Sequence, residues 1–309
     1  MEKVLVTGGA GFIGSHIVEE LLDEGIYKVG VVDNLSTGDV SNIPLNKITY
    51  YNADITREKE INKVIQEFLP DFIIHQAAQV SVAESVSNII KDEEINIRGS
   101  LNIIESARNN NVKKIVFASS AAVYGNPKYL PVDEEHPINP ASPYGLSKYT
   151  VEKYLELANR LYGVKYTILR YSNVYGPRQG MKGEGGVVSI FVDKLAKKET
   201  VAIFGDGKQT RDFIYVKDVA KANINALKNG DNTVVNISTM SQITINELYN
   251  TISNLYNNNN KPSYLETRNG DIVDSTLSNK KAQKYLEWHP VFNVQGGLFN
   301  IIEGNAVLK

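Results

Sequence analysis

The sequence predicts an α/β fold in which a doubly wound parallel sheet is followed by a smaller C-terminal α/β domain. Three observations predict it. Apolar runs and amphipathic helical stretches alternate through the first half, the pattern of a parallel sheet. The first run, Val4–Val6, enters a glycine-rich turn, Thr7-Gly8-Gly9-Ala10-Gly11-Phe12-Ile13-Gly14, that opens a helix over Phe12–Glu24. The second run, Lys28–Val32, ends on Asp33.

Each element has a chemical reading. Gly9, Gly11 and Gly14 match G-x-G-x-x-G, and Gly8 extends the spacing. A tight strand-to-helix turn needs residues without a β-carbon, and so does close approach of backbone to a pyrophosphate. The helix that follows offers unpaired N–H groups and the positive end of its dipole. Asp33 lies about 20 residues past the glycines, where a carboxylate accepts from the adenine ribose hydroxyls. Asn34-Leu35 follows, with no Arg or Lys beside the acid to meet a 2′-phosphate. The predicted sheet is therefore of Rossmann type, and the predicted cofactor is NAD rather than NADP.

A polar turn over residues 34–42 leads to a short strand, Ile48–Tyr51, and then to Asp54-Ile55. Two roles stand open for Asp54: holding the adenine amine while Ile55 packs on the ring, or capping a helix over Arg57–Phe68. One side chain can serve both. The next strand, Asp71–His75, ends in Gln76-Ala77-Ala78-Gln79, small enough to let a cofactor pass close to the backbone. A helix over Ile89–Asn109 carries Asn96 and Gly99, and a strand over Lys113–Ala118 closes in Ser119-Ser120-Ala121-Ala122. Ligands of open α/β sheets bind at the carboxyl ends of strands, which places both serines in the expected crevice.

Pro143 opens a helix that runs to Tyr162 and carries Tyr144 and Lys148 four residues apart, on one face. A phenol with an ordinary pKa of ~10 is a poor base at neutral pH. A nearby ammonium favours the phenolate. Tyr144 can then take a proton from a sugar hydroxyl as hydride leaves the same carbon, with Ser120 sharing the hydrogen bond and Lys148 supplying the charge. The second half is less regular. It reads as a glycine-rich loop, Gly176–Gly186, with Arg178 in it, expected to order over the substrate. A helix over Val187–Lys198, strands over Val201–Phe204 and Phe213–Val216, a helix over Lys217–Leu227 and a strand over Thr233–Ile237 follow. Thr244–Leu255 reads as a helix with a capping box, Thr244 and Glu247, at its start. Asn257–Asn260 is a low-complexity loop with no assigned function. The expected division is a cofactor domain over residues 1–172, to which residues near 212–238 return, and a substrate domain over 173–309.

Composition narrows the classes of function. The chain has 309 residues, 42% hydrophobic and 22% charged, with a formal net charge of −2, so no basic footprint points to nucleic acid. It has no cysteine, which removes disulfides, thiolate nucleophiles and cysteine metal sites and suits the cytoplasm. His16, His75, His136 and His289 have no ligand spacing, and no metal is assigned. No signal peptide is expected at the N-terminus, and no apolar run reaches the ~18 residues of a membrane span.

Assembled, these motifs resemble the extended short-chain dehydrogenase/reductases and, within them, the UDP-glucose 4-epimerase-like sugar-nucleotide enzymes. The resemblance rests on Thr7–Gly14, Asp33, Asp54, His75–Ala78, Asn96, Ser119–Gly125, Tyr144–Lys148, Arg170-Tyr171-Ser172-Asn173, Gly205–Gly207, Thr210–Phe213 and Arg268–Asp271, and it covers nearly the whole chain. It implies a cofactor site of Gly8, Gly11, Phe12, Ile13, Gly14, Asp33, Asn34, Asp54, Ile55, Ala77, Ala78, Gln79, Asn96, Ser119, Tyr144, Lys148 and Tyr171. It implies a substrate site of Ser120, Tyr144, Asn173, Val188, Phe204, Arg211, Arg268, Asp271 and Ser275. Asn173 would meet the substrate phosphates, Arg211 and Arg268 would fork onto the diphosphate, and Phe204 would lie against the uracil. On the residues alone, Arg211-Asp212 also reads as a local ion pair and Phe204 as core. The resemblance further implies a homodimer through the helices bearing Asn96 and Tyr144.

The same motifs select the reaction. The 4,6-dehydratases of the family carry an acid just after the strand-end Ser or Thr, where this chain has Ala121 and Ala122. The 3,5-epimerases use a cysteine, which is absent here. A UDP-hexose 4-epimerase, passing through a transient 4-keto sugar, needs neither group. The resemblance implies that the position of Ser275, four residues beyond Asp271, is a gate at which a small side chain admits an N-acetyl group, which would add UDP-GlcNAc and UDP-GalNAc to UDP-glucose and UDP-galactose; on the residues alone Ser275 also reads as a polar loop residue. Val80 stands where many galactose epimerases carry a lysine, and Asn173–Arg178 is shared with other sugar-nucleotide enzymes; UDP-glucuronate 4-epimerisation therefore stays open. A non-catalytic NAD sensor is the remote alternative.

Overall fold

A computed structural model describes residues 1–180, 185–258, 260–267 and 273–307 of the chain. Its frame is a seven-stranded sheet. The strands are β1 (Glu2–Thr7), β2 (Tyr27–Asp33), β3 (Thr49–Asn52), β4 (Phe72–His75), β5 (Lys114–Ser120), β6 (Lys165–Tyr171) and β11 (Thr233–Ile237). Every pairing is parallel, in the order β11-β6-β5-β4-β1-β2-β3. The order reverses between β1 and β4, and the crevice at that switch point is where a doubly wound sheet takes its ligand.

The strands are apolar on both faces because helices cover both. Val4 and Val6 lie in one core cluster with Ile17 and Leu21 of α1 (Phe12–Glu24) and Val219 and Ala222 of α8 (Val216–Lys228). Leu5, pointing the other way on the same strand, joins Ile61 and Ile65 of α2 (Glu58–Phe68) and Ile103 of α5 (Gly99–Asn109). This is the period-2 alternation of a strand serving two cores at once. Helix α6 (Pro143–Tyr162) packs on the second face through Val151 and Leu155. A third cluster, around Tyr175, Phe191, Phe213, Tyr249 and Leu298, binds most of the remaining elements, while the helix Lys280–Leu286 packs Ala282 and Leu286 into the first cluster.

Those elements are β7 (Asn173–Tyr175), α7 (Val187–Ala196), β8 (Ala202–Phe204), β9 (Thr210–Arg211), β10 (Phe213–Tyr215), β12 (Ile243–Thr244), α9 (Ile245–Leu255), β13 (Ser263–Leu265), α10 (Lys280–Leu286) and α11 (Val294–Val307). They form three two-stranded pairs, β10 with β7, β12 with β9, and β13 with β8. The capping box at α9 forms as expected, with the Thr244 hydroxyl accepting from Glu247 N and the Glu247 carboxylate accepting from Thr244 N.

Two expectations are corrected. Asp54 does not cap α2: Arg57 holds the cap position without a side-chain bond, and Asp54 Oδ1 accepts instead from Thr56 N at 2.8 Å, forming a turn ahead of the helix. The helix expected over Ile89–Asn109 is not uniformly α. A short α4 (Ile89–Asp92) passes into a π-helical turn, Glu93–Arg98, before α5 begins, and α3 (Val82–Ser87) precedes it. A π turn inserts a residue into the helical register and recurs at functional sites; here it contains Asn96.

Candidate active site

The glycine turn is closed by sterics. Gly8 holds φ of +67°, and a Cβ there would stand 2.7 Å from Ala77 N; a Cβ on Gly14 would stand 2.1 Å from Gly8 O. Gly11 is the N-cap of α1 and makes no side-chain cap bond, so the first turn of the helix turns uncapped N–H groups toward the crevice. Asp33, at the end of β2, is fixed from behind: Oδ2 accepts from Ala10 N at 2.9 Å and Oδ1 from Leu35 N at 2.8 Å. Burial pushes its pKa up, against those two bonds. Each oxygen retains a lone pair for a ribose hydroxyl. Asn34 donates to Asp54 at 2.9 Å, and Ile55 is buried against Gly99. A backbone cradle that a Cβ would fill, an uncapped helix end and a fixed carboxylate together fit a dinucleotide.

The ends of β1 and β4 are joined to α5 by a chain of hydrogen bonds whose direction can be deduced. Ser100 Oγ donates to Asn96 O at 2.6 Å, which commits its one proton. His75 Nε2, 2.9 Å away, must then be the donor to Ser100. His75 Nδ1 accepts from the Thr7 hydroxyl at 2.6 Å, and Thr7 accepts from Ala77 N at 3.2 Å. Burial, reinforced by the charge of Lys148, pushes His75 down to about 3, so the ring stays neutral in this one tautomer. Asn96 meanwhile accepts from Gln79 N at 2.8 Å and donates to Gln79 O at 3.0 Å, holding the strand-end segment as a neighbouring backbone would.

Tyr144 and Lys148 lie on the first turns of α6, which Ser142 caps by accepting from Gly145 N. Lys148 is buried; its Nζ donates to Ala118 O at 2.9 Å and stands 5.9 Å from the Tyr144 ring centroid. Burial lowers its pKa to about 8, with Asp92 and Glu152 opposing, so the ammonium persists at neutral pH. Tyr144 is half-buried at the rim. Ser120 accepts from Ala122 N at 3.2 Å, which directs its proton away from the backbone. Ser119 points inward and donates to Glu152 at 2.5 Å. Glu152 is in turn forked by Arg170, at 3.0 and 2.6 Å. The Tyr171 side chain lies in the core beneath, its hydroxyl bonded to Asn223 and Gln76.

A cavity of about 310 Å³ gathers four of the residues assigned to substrate, Asn173, Val188, Phe204 and Arg211. Ser275 is not on its wall, although Asp274 beside it accepts from Thr210 at 2.6 Å. Arg268 and Asp271 lie outside the described residues. Arg178 departs from expectation. Its guanidinium reaches back to α1, donating to Ser15 at 3.0 Å and pairing with Glu19, while His16 Nε2 bonds Pro177 O at 3.1 Å. Arg178 thus fastens the base of the loop to α1, while Gln179 and Gly186 of the same loop line the cavity. The sequence reading passed over Gln179, Phe191 and Gln209, which also line that cavity, and no spacing signal marks them. It also passed over Glu152, which its i+4 relation to Lys148 could have flagged. Among the described residues no group of acidic and histidine side chains is placed to hold a metal, and no helix is long and apolar enough to cross a membrane.

Known proteins resemble the chain over nearly its whole length. The sequence pattern of the NAD dependent epimerase/dehydratase family matches residues 4–238. A protein of Methanocaldococcus jannaschii, provisionally named UDP-glucose 4-epimerase, is 51% identical over 300 residues, 97% of each chain. The crystal structure of Thermotoga maritima UDP-glucose 4-epimerase with UDP-glucose superposes with a TM-score of 0.96 at 43% identity, covering 99% of this chain and 100% of that one. The UDP-N-acetylglucosamine 4-epimerase of Methanobrevibacter ruminantium, in complex with UDP-N-acetylmuramic acid, gives 0.94 at 36% identity, covering 100% and 99%.

Proposed function

The chain belongs to the NAD-dependent epimerase/dehydratase family, and from that premise we propose that it interconverts the C4 epimers of a UDP-hexose with Tyr144 as its acid–base group. It is an NAD-dependent isomerase. The observation that carries the assignment of Tyr144 is its place beside a buried, charged Lys148 at the carboxyl end of β5, next to the glycine crevice. Bound NAD supplies the acceptor and donor of hydride at C4. Tyr144, held as a phenolate by the Lys148 ammonium, takes the proton of the 4-hydroxyl and becomes a neutral phenol, and it returns that proton when hydride comes back to C4, which restores the phenolate. Ser120 hydrogen-bonds the same oxygen. Arg211 and Asn173 keep the diphosphate in place while the 4-keto sugar turns to present its other face.

The division at residue 172/173 separates the residues proposed for NAD from most of those proposed for the sugar nucleotide. Exposed Leu146, Tyr154, Leu157 and Leu161 form a stripe along α6, and exposed Ile89 and Ile90 lie on α4; this surface supports the homodimer we propose. The absence of cysteine supports a cytoplasmic location.

The reaction is tested by incubating the purified protein separately with UDP-glucose, UDP-GlcNAc and UDP-glucuronate and separating the products by chromatography. The C4 epimer of UDP-glucose is expected; no epimer from any of the three would refute the reading. Ser275 is proposed to admit an N-acetyl group. Ser275→Tyr is then expected to lower kcat/KM for UDP-GlcNAc at least tenfold and to spare UDP-glucose, a discrimination of the size one pocket-filling group gives. Equal losses on both substrates would remove Ser275 from specificity.

A further inference from the structure

Asp212 follows Arg211 in the chain, yet its polar groups serve other partners. Its side chain is fully buried. Oδ1 accepts from Thr239 N at 3.0 Å and from the Thr239 hydroxyl at 2.8 Å, and Oδ2 accepts from Leu277 N at 3.3 Å. Its backbone carbonyl accepts twice from Asn173, from N at 3.1 Å and from Nδ2 at 3.0 Å. One residue therefore joins the start of β7, the end of β9, the segment after β11 and the segment before α10. Arg211 and Asn173, the two polar groups we assign to the diphosphate, are its chain neighbour and its hydrogen-bond partner.

We propose that Asp212 is a positioning residue for the sugar nucleotide: its ionised carboxylate locks the strand ends so that Arg211 and Asn173 stand ready for the diphosphate. The inference rests on the UDP-sugar reading above. The physical warrant is that a carboxylate accepting several N–H and O–H bonds in a dry site holds each donor more firmly than a neutral carboxyl can. Protonation would turn one acceptor into a donor facing other donors. Burial raises the pKa of Asp212 to about 6, against the bonds from Thr239, Leu277 and Met240. The groups that face its carboxylate are these neutral donors; the charged groups adjoining β9 are Arg211, next in the chain, and Asp274, which accepts from Thr210. The carboxylate is therefore ionised above about pH 6, where the lock is complete, and loses its charge as pH falls through that value. None of the four histidines lines the cavity.

The test measures UDP-glucose binding by calorimetry to NAD-loaded Tyr144→Phe protein between pH 5 and 8, so that turnover does not intervene. The diphosphate of UDP-glucose is a diester and does not titrate in this range. Affinity is expected to fall about tenfold from pH 7.5 to pH 5, the loss of roughly one buried charge-assisted bond. Thr239→Val keeps the carboxylate but removes one donor to it, so the acid limb should move to higher pH. Asp212→Asn should bind UDP-glucose roughly tenfold more weakly at pH 7.5 and show no acid limb, with KM raised far more than kcat is lowered when Tyr144 is intact. A flat profile, or an acid limb that Thr239→Val leaves in place, would overturn the role of Asp212 while the epimerase reading stands. Failure to bind UDP-glucose at pH 7.5 would overturn both.

Discussion

Replacing Tyr144 by phenylalanine is expected to lower kcat for UDP-glucose epimerisation by about 10³-fold or more while leaving NAD bound. The size follows from what the phenol is asked to do. Moving a proton in the transition state contributes about 10²–10⁴-fold, and neither of the two groups assigned beside Tyr144 can take it: Lys148 on α6 is committed to Ala118 O and holds its own proton at neutral pH, and the neutral Ser120 hydroxyl at the end of β5 is a far weaker base. Retention of NAD follows from location. The glycine turn, the uncapped start of α1 and Asp33 belong to β1, α1 and β2, none of which depends on the Tyr144 hydroxyl. The measurement is a pair: the epimerisation rate by product chromatography, and the NAD released on heating the purified variant. Near wild-type turnover would remove Tyr144 from the reaction. Loss of both activity and NAD would instead show that the Tyr144 hydroxyl is needed to retain the cofactor.

Much of this arrangement is legible in the sequence because it is local. Helices α1 and α6 begin and end where their apolar spacing, their start signals and the glycines that follow them place them. The glycine turn, Asp33 and the Tyr144–Lys148 pair are each defined within a few residues of chain. What escapes is set by contacts distant in sequence. Strand β6 sits inside the sheet between β5 and β11, yet Lys165–Tyr171 begins and ends with polar residues and reads as a motif, not as a strand. The two- and three-residue strands β7, β9, β12 and β13 have too few residues to carry a period; they exist because their partners are there. Arg178 sits in a loop whose glycines suggest freedom over a ligand, but Glu19 and Ser15 on α1 hold it. Asp54 has the composition of a helix cap and stands three residues too early. The relation of Asp212 to Arg211 is similar: adjacency suggests an ion pair, while the carboxylate is taken by Thr239 and Leu277, some 27 and 65 residues away in the chain.

The largest stability effect is expected at a pair far less visible in the sequence than Tyr144 and Lys148. Glu152 and Arg170 form a forked ion pair in the core beside the end of β5, with both side chains nearly inaccessible. Glu152 also accepts from the Ser119 hydroxyl, and Arg170 donates to Tyr124 Oη at 2.9 Å, which in turn donates a hydrogen bond to Asn236 Oδ1. Glu152→Ala strands a guanidinium that cannot shed its proton, and whose protonated form the pair holds well above the ordinary arginine range. The expected cost is about 3–5 kcal/mol, the penalty for an uncompensated buried charge rather than the worth of the pair itself. Arg170→Ala leaves a carboxylate that can neutralise by taking up a proton, so its cost should shrink as pH falls while that of Glu152→Ala does not. Urea unfolding of both variants at pH 7.5 and pH 5.5 distinguishes the two. Equal costs at both pH values would mean that water reaches the stranded carboxylate, and a cost for Glu152→Ala below about 1 kcal/mol, the range of a surface pair, would mean that the guanidinium escapes the core. Because Ser119 precedes Ser120 on β5 and Glu152 follows Lys148 by one helical turn, the same substitution should also lower kcat under conditions where the variant remains folded, through the strand end that the pair fixes.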